Sequence, residues 1–188
     1  SVPNLFKKKN IKEVSSPMEE KKYVEEKKEN EETLEEEEQF VIFKLDEQEY
    51  AVPIESVQEI VRVPEELTRV PKTPDFVEGV INLRGNVLPV IDLRKKFDLR
   101  EKQRDEHQRI MVFVIDNLSV GFIVDSVSEV LKIPRSIIQK SPEILAERTK
   151  IFPRVANLEK QGRIIQIIEP KELLNKEELK KLEKTKNK

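Results

Sequence analysis

The chain has no cysteine, no tryptophan, a single histidine, four glycines and no long apolar run. Each shortage removes a class of protein. Without cysteine there is no disulfide framework and no thiolate metal site, and a reducing cytoplasm fits that composition. The longest apolar run, Ile110-Met-Val-Phe-Val-Ile115, has six residues, against the roughly 18 that a membrane-spanning helix requires. Near the start of the chain, Leu5 and Phe6 are followed at once by Lys7, Lys8 and Lys9, so there is no apolar signal core. The reading is a soluble cytoplasmic protein with no direct membrane insertion.

The lone His107 lies in a charged run, Arg100-Glu-Lys-Gln-Arg-Asp-Glu-His-Gln-Arg109. A catalytic histidine needs a nucleophile and an orienting partner, and a histidine metal site needs more than one ligand; His107 reads as a solvated loop residue. Gly79, Gly85, Gly121 and Gly162 are too scattered for a dinucleotide fingerprint or a P-loop. Gly85 reads instead as the source of a backbone angle in a tight hairpin. The acidic runs lack the Asp, Asn and Gly spacing of a calcium loop. No metal and no cofactor are expected.

Charge is abundant but balanced: 38% of residues are charged, for a formal net charge of −2. That argues against nucleic acid as a partner. Single-strand binding would also need aromatics on a basic face, whereas the aromatics here fall mostly in apolar strand positions. Glu59 and Glu129 form a carboxylate pair that acid–base chemistry could use. Their recurrence has a simpler source, described below, and nothing visible converges on them. The chain is read as no enzyme.

Residues 1–38 are rich in Glu and Lys and poor in large apolar groups. Such a segment buries too little surface to offset its ordering entropy, and a disordered or weakly helical tail is expected. Residues 176–188 read as a charged helix end that frays. Between them the pattern is β. Phe40-Val-Ile-Phe-Lys-Leu45 and Tyr50-Ala-Val-Pro-Ile54 predict one hairpin, Val80-Ile-Asn-Leu83 and Val87-Leu-Pro-Val-Ile91 a second, and Ile110–Ile115 with residues 120–124 a third. Arg163-Ile-Ile-Gln-Ile-Ile168 is a further strand. Short helices are expected at 93–97 and 170–174, with Asp92 and Glu169 facing their N-termini.

The chain repeats itself. Ile54-Glu-Ser-Val-Gln-Glu-Ile-Val-Arg-Val-Pro64 returns 70 residues later as Val124-Asp-Ser-Val-Ser-Glu-Val-Leu-Lys-Ile-Pro134. Only Gln58/Ser128 changes in kind. Gly85-Asn-Val-Leu-Pro-Val-Ile-Asp92 returns 77 residues later as Gly162-Arg-Ile-Ile-Gln-Ile-Ile-Glu169. Residues 40–97 and 110–174 are thus two copies of one unit. A unit of that size buries too little surface to be comfortable alone, so two small barrels should pack over a shared seam, leaving a groove where their edges meet. Arg84, at a hairpin tip, has Gln161 as its counterpart, so the halves differ in charge there. Taken alone, Arg84 reads as a solvated turn residue; it could also offer a forked donor to a partner's carboxylate.

Residues 50–63, 71–97 and 121–134 resemble the CheW family of bacterial chemotaxis coupling proteins. The most specific stretch is 73–94, where Gly79, Asn82-Leu-Arg-Gly85, Pro89 and Asp92-Leu-Arg94 match the family pattern. The resemblance spans about residues 39–175 and is weaker over 151–166. It implies a mainly β fold of two five-stranded, SH3-like or OB-like barrels side by side. It also implies a stand-alone cytoplasmic adaptor, held near the inner membrane face through receptor arrays, which couples chemoreceptor tips to the histidine kinase CheA through the kinase's regulatory domain. A scaffold for a pilus or gliding-motility array is the alternative. By similarity, the receptor groove comprises Val57, Arg84, Gly85, Val127 and Val130, and Glu59 and Gly79 match positions linked to coupling.

Overall fold

The computed structural model describes residues 35–142 and 146–186. The expected disordered tail falls, for residues 1–34, outside them. The described chain runs through β1 (Glu37–Leu45), β2 (Gln48–Pro53), β3 (Val57–Arg62), β4 (Val77–Leu83), β5 (Asn86–Asp92), α1 (Leu93–Lys96), β6 (Arg109–Ile115) and β7 (Leu118–Val124). It continues through β8 (Ser126–Pro134), β9 (Ile138–Lys140), α2 (Ala146–Ile151), β10 (Arg154–Leu158), β11 (Arg163–Ile167) and α3 (Lys176–Lys186).

All three predicted hairpins form, as β1–β2, β4–β5 and β6–β7. Their two-residue turns explain the residues found there. Arg84 and Gly85 have φ of 53° and 84°, and Asp116 and Asn117 have 48° and 65°. Two successive left-handed residues make the turn whose twist matches paired strands, and Gly, Asn and Asp adopt it most readily.

The two repeats do not each fold into their own sheet, as consecutive packed units would. They exchange strands. One sheet has the order β8-β1-β2-β11-β10-β9 and the other β3-β6-β7-β5-β4. Each therefore joins the first hairpin of one copy to the later strands of the other. A 3₁₀ turn at Ile54–Ser56 carries the chain out of the β1–β2 sheet, and a bend at Asp125 does the same after β7. The physical reason follows from size: neither copy closes a core alone, so each core is completed by its neighbour's hairpin. The parallel pairs β2–β11 and β5–β7 finish the arrangement.

Three apolar clusters result. Phe40, Ile42, Ala51, Ile133 and Ile165 fill the six-stranded sheet's interior, and Leu88, Val90, Ile110 and Val112 fill the five-stranded one's. The largest lies between the sheets and holds Val41, Phe43, Val52, Met111, Phe113 and Phe122. β1 and β6 are buried on both faces, which is why they read as unbroken apolar runs.

One boundary moves. The tail ends before 38: Glu37 and Glu38 already pair with Pro134 and Ile133, and Arg154 holds the Glu38 carboxylate at 3.0 and 3.1 Å. The C-terminal segment is helical, as expected, over Lys176–Lys186, and that helix packs onto the core. Asn175 Oδ1 accepts from the Glu178 N–H (2.8 Å) and Glu178 Oε1 from the Asn175 N–H (3.0 Å), a reciprocal cap. Leu179 and Leu182, one turn apart, are buried against the seam cluster.

Asp92 caps α1 as expected, its Oδ1 accepting from the Arg94 N–H at 2.9 Å. Glu169 does not cap: 170–174 opens with a 3₁₀ turn, Pro170–Glu172, without a side-chain cap. One buried arginine pins the exchanged elements. Arg94 Nη1 donates to Asp46 Oδ1 and Asp125 Oδ2, both at 2.7 Å, and its Nε to the Arg100 carbonyl, also at 2.7 Å. The Asp46 hydrogen bond, with Asp125 nearby, holds the guanidinium above its usual value despite burial.

Candidate docking groove

β3 and β8 are the repeated segments, and each is an edge strand of its sheet. Their register fixes which side chains face the seam. Val57 lies opposite Phe113 and Ile60 opposite Met111. Val127 lies opposite Phe43 and Val130 opposite Val41. All four partners belong to the cluster between the sheets, so the four residues share that face. Residues three apart share a strand face only across a bulge. The register slips where Gln58 and Ser128 stand, the one place where the 54–64 and 124–134 segments differ in kind. Gln58 Oε1 accepts from Ser119 Oγ at 3.1 Å, and Ser128 Oγ donates to the Ile42 carbonyl at 3.2 Å.

Val57 and Val127 are half-buried and both pack against the seam cluster. Ile60 and Val130 remain 37% and 55% exposed. The result is a strip of apolar side chains on the two edge strands that border the seam. Ile60 was missed in the sequence, although the 70-residue offset pairs it with Val130.

Glu59 and Glu129 each meet an arginine. Arg84 Nη2 donates to Glu59 Oε1 at 2.9 Å, joining the edge strand β3 to the β4–β5 tip from the opposite end of the sheet order. Arg163 Nη2 donates to Glu129 Oε1 at 2.8 Å and, with Nε, forks onto Glu49. These bonds, to Glu49 first, raise the Arg163 guanidinium further above its usual value. The expected charge difference between halves is therefore corrected. Arg163 does on the six-stranded sheet what Arg84 does on the five-stranded one, and Gln161 Oε1 merely accepts from Arg163 Nη1 at 2.9 Å. The difference lies in exposure, since Arg84 is 79% exposed and Arg163 only 25%.

Asn82-Leu-Arg-Gly85 has a local logic. Asn82 Oδ1 accepts from the Gly85 N–H at 2.9 Å, and Gly85 takes a φ that other residues resist. The turn thus lifts Arg84 into solvent beside Glu59. Gly79 does not sit with these groups. It is buried under the bridge between Thr68 and Val80, where an added Cβ would stand 2.6 Å from the Thr68 carbonyl oxygen.

A second apolar cleft, of about 540 Å3, opens on the β9–β10–β11 part of the six-stranded sheet. Phe152, Val155 and the 59% exposed Ile164 line it, with Lys140 and Arg148 at its rim. Its Ile164 is the repeat mate of Val87, which is also exposed. Among the described residues no group of three His, Cys, Asp or Glu could hold a metal, and no helix is long and apolar enough to cross a membrane.

Two strand-exchanged β-sheets with apolar side chains along the edge strands at their seam have the build of a scaffold. The family model for the CheW-like domain matches residues 39–178. The chain is 36% identical over 139 residues to the chemotaxis protein CheW of Helicobacter pylori, covering 74% of this chain and 82% of that one. It is 37% identical over 143 residues to the chemotaxis protein CheW of Klebsiella aerogenes, covering 76% and 84%. The crystal structure of the scaffolding protein TtCheW from Thermoanaerobacter tengcongensis superposes with a TM-score of 0.67 at 33% identity, covering 76% of this chain and 96% of that one. The chain belongs to the CheW-like family.

Proposed function

We infer that this chain is a chemotaxis adaptor that couples chemoreceptor tips to the histidine kinase CheA, on the cytoplasmic side of the membrane and without chemistry of its own. The observation that carries the reading is the apolar strip formed by Val57, Ile60, Val127 and Val130 on the two edge strands at the seam. A helical receptor hairpin buries apolar side chains in such a groove. Arg84, exposed beside β3, adds a charged contact to a receptor carboxylate.

Coupling needs a second, separate surface. The cleft around Phe152, Val155 and Ile164 meets that need and is the reading's site for the kinase regulatory domain. Glu59 and Glu129 do not act as an acid–base pair, because each is bonded to an arginine.

Co-sedimentation with a receptor signalling fragment and with the CheA regulatory domain tests both assignments. Val130→Asp is expected to lower receptor binding by at least tenfold, about 1.4 kcal/mol, and to leave kinase binding unchanged. Ile164→Asp is expected to do the reverse. Failure of the folded parent to bind either partner overturns the function, and loss of both bindings in each variant overturns the separation of surfaces.

A further inference from the structure

A third concave surface carries charge of one sign. It lies between the β3–β4 connection and α3 and has a volume of about 310 Å3. Val70, Pro71 and Pro74 supply apolar wall, and Lys72, Lys181 and Lys184 supply cations. Among the described residues no carboxylate lines it. Lys181 and Lys184 are three apart on one helix, so they face the same way. Both stand beyond residue 178, where the match to the family model ends.

Lys72 is the informative residue. It follows Pro71 in the turn from Val70 to Thr73, which a bond from Thr73 Oγ1 to the Val70 carbonyl closes at 3.0 Å. Its φ is 62°, at the turn position where glycine is the unstrained choice. A lysine kept there costs backbone strain, and the exposed side chain repays none of it through an ion pair among the described residues. Strain held at a surface residue points to a use of its side chain.

We propose that this cleft docks an acidic segment of a partner protein, one whose carboxylates flank a single aliphatic side chain. The carboxylates meet Lys72 and Lys184, and the aliphatic group covers Val70 and Pro74. Nucleic acid fits less well: no aromatic lines the cleft to stack a base, and the chain's net charge is −2. The surface is separate from the groove and from the Phe152 cleft, and the proposal stands without either.

The test is fluorescence anisotropy with the full chain and a labelled peptide in which glutamates flank one leucine. A peptide with lysines in place of the glutamates and a single-stranded DNA serve as competing probes. The expected result is binding of the acidic peptide that weakens with salt. Lys72→Glu combined with Lys184→Glu should weaken it by more than about tenfold. Lys72→Gly should weaken it about threefold while thermal stability stays level or rises, because glycine relieves the strained φ. The proposal is overturned if the parent does not bind, if Lys72→Gly binds as the parent does, or if the lysine peptide or DNA binds more tightly.

Discussion

Arg84 reaches solvent from a turn that its neighbours hold rigid, with Asn82 bonded to Gly85 on one side and Glu59 gripping one guanidinium nitrogen on the other. Little of its surface contributes to the fold. Arg84→Glu should therefore weaken receptor binding by about tenfold or more and shift the melting temperature by no more than about 2 °C. Calorimetric binding and a thermal melt of the same sample check both parts; a steep drop in melting temperature would make Arg84 structural. Gly79 is the opposite case. A methyl group there collides with the Thr68 backbone, which has no flexible end to yield. Gly79→Ala should cost about 2–3 kcal/mol in urea unfolding, so a coupling defect in such a variant would need correcting for lost fold. Both glycines stood out in the sequence through the family pattern, but that pattern does not tell a glycine that shapes a turn from one that makes room for a neighbouring backbone. The distinction rests on a contact eleven residues away, between Gly79 and Thr68.

Among the elements, the hairpins were the most legible, because alternating apolar runs and short polar turns are local signals. Caps were half legible. Asp92 was placed correctly before α1, and its environment makes a measurable statement. Burial pushes its carboxyl above the usual value, against the opposing bond from the Arg94 N–H and the charge of Arg104. A raised carboxyl favours the protonated folded state. Its stabilising effect is complete below about pH 4, the unfolded value, and is lost as pH rises through the higher folded value. Asp92→Asn keeps a capping oxygen and removes the titration. The stability of the parent minus that of the variant should fall as pH rises through the mildly acidic range and then level off, as urea unfolding across that range would show. A flat difference would mean that the carboxyl feels no burial. The C-terminal helix was legible but its packing was not, for a physical reason: Leu179 and Leu182 are two apolar groups in a charged stretch, and their worth comes from the seam cluster they cover, which composition does not display.

At the scale of the molecule, the duplication was legible and its consequence for strand pairing was not. The repeat fixes that two equivalent units exist, but which strands pair depends on where the chain turns out of one sheet into the other. A short 3₁₀ turn and a bend at Asp125 decide that. Exchange makes a sharp prediction. The chain cut between Glu106 and His107, both exposed, should give two fragments that are each unfolded alone and that regain the β signal in circular dichroism when mixed. Fragments that fold independently would contradict the pairing of β1 with β8 and of β3 with β6. Because each copy lends its hairpin to the other, the molecule is a domain-swapped pair joined by a tether. A chain carrying the first copy alone could reach the same body as a twofold homodimer. In it, both edge strands at the seam would be identical β3 strands, and a ligand could lie along them equally well in either of two reversed directions. The unequal copies in this chain remove that symmetry: Val130 is more open than Ile60 and Arg84 more open than Arg163, so an elongated partner docked on the proposed strip would find one polarity better than the other.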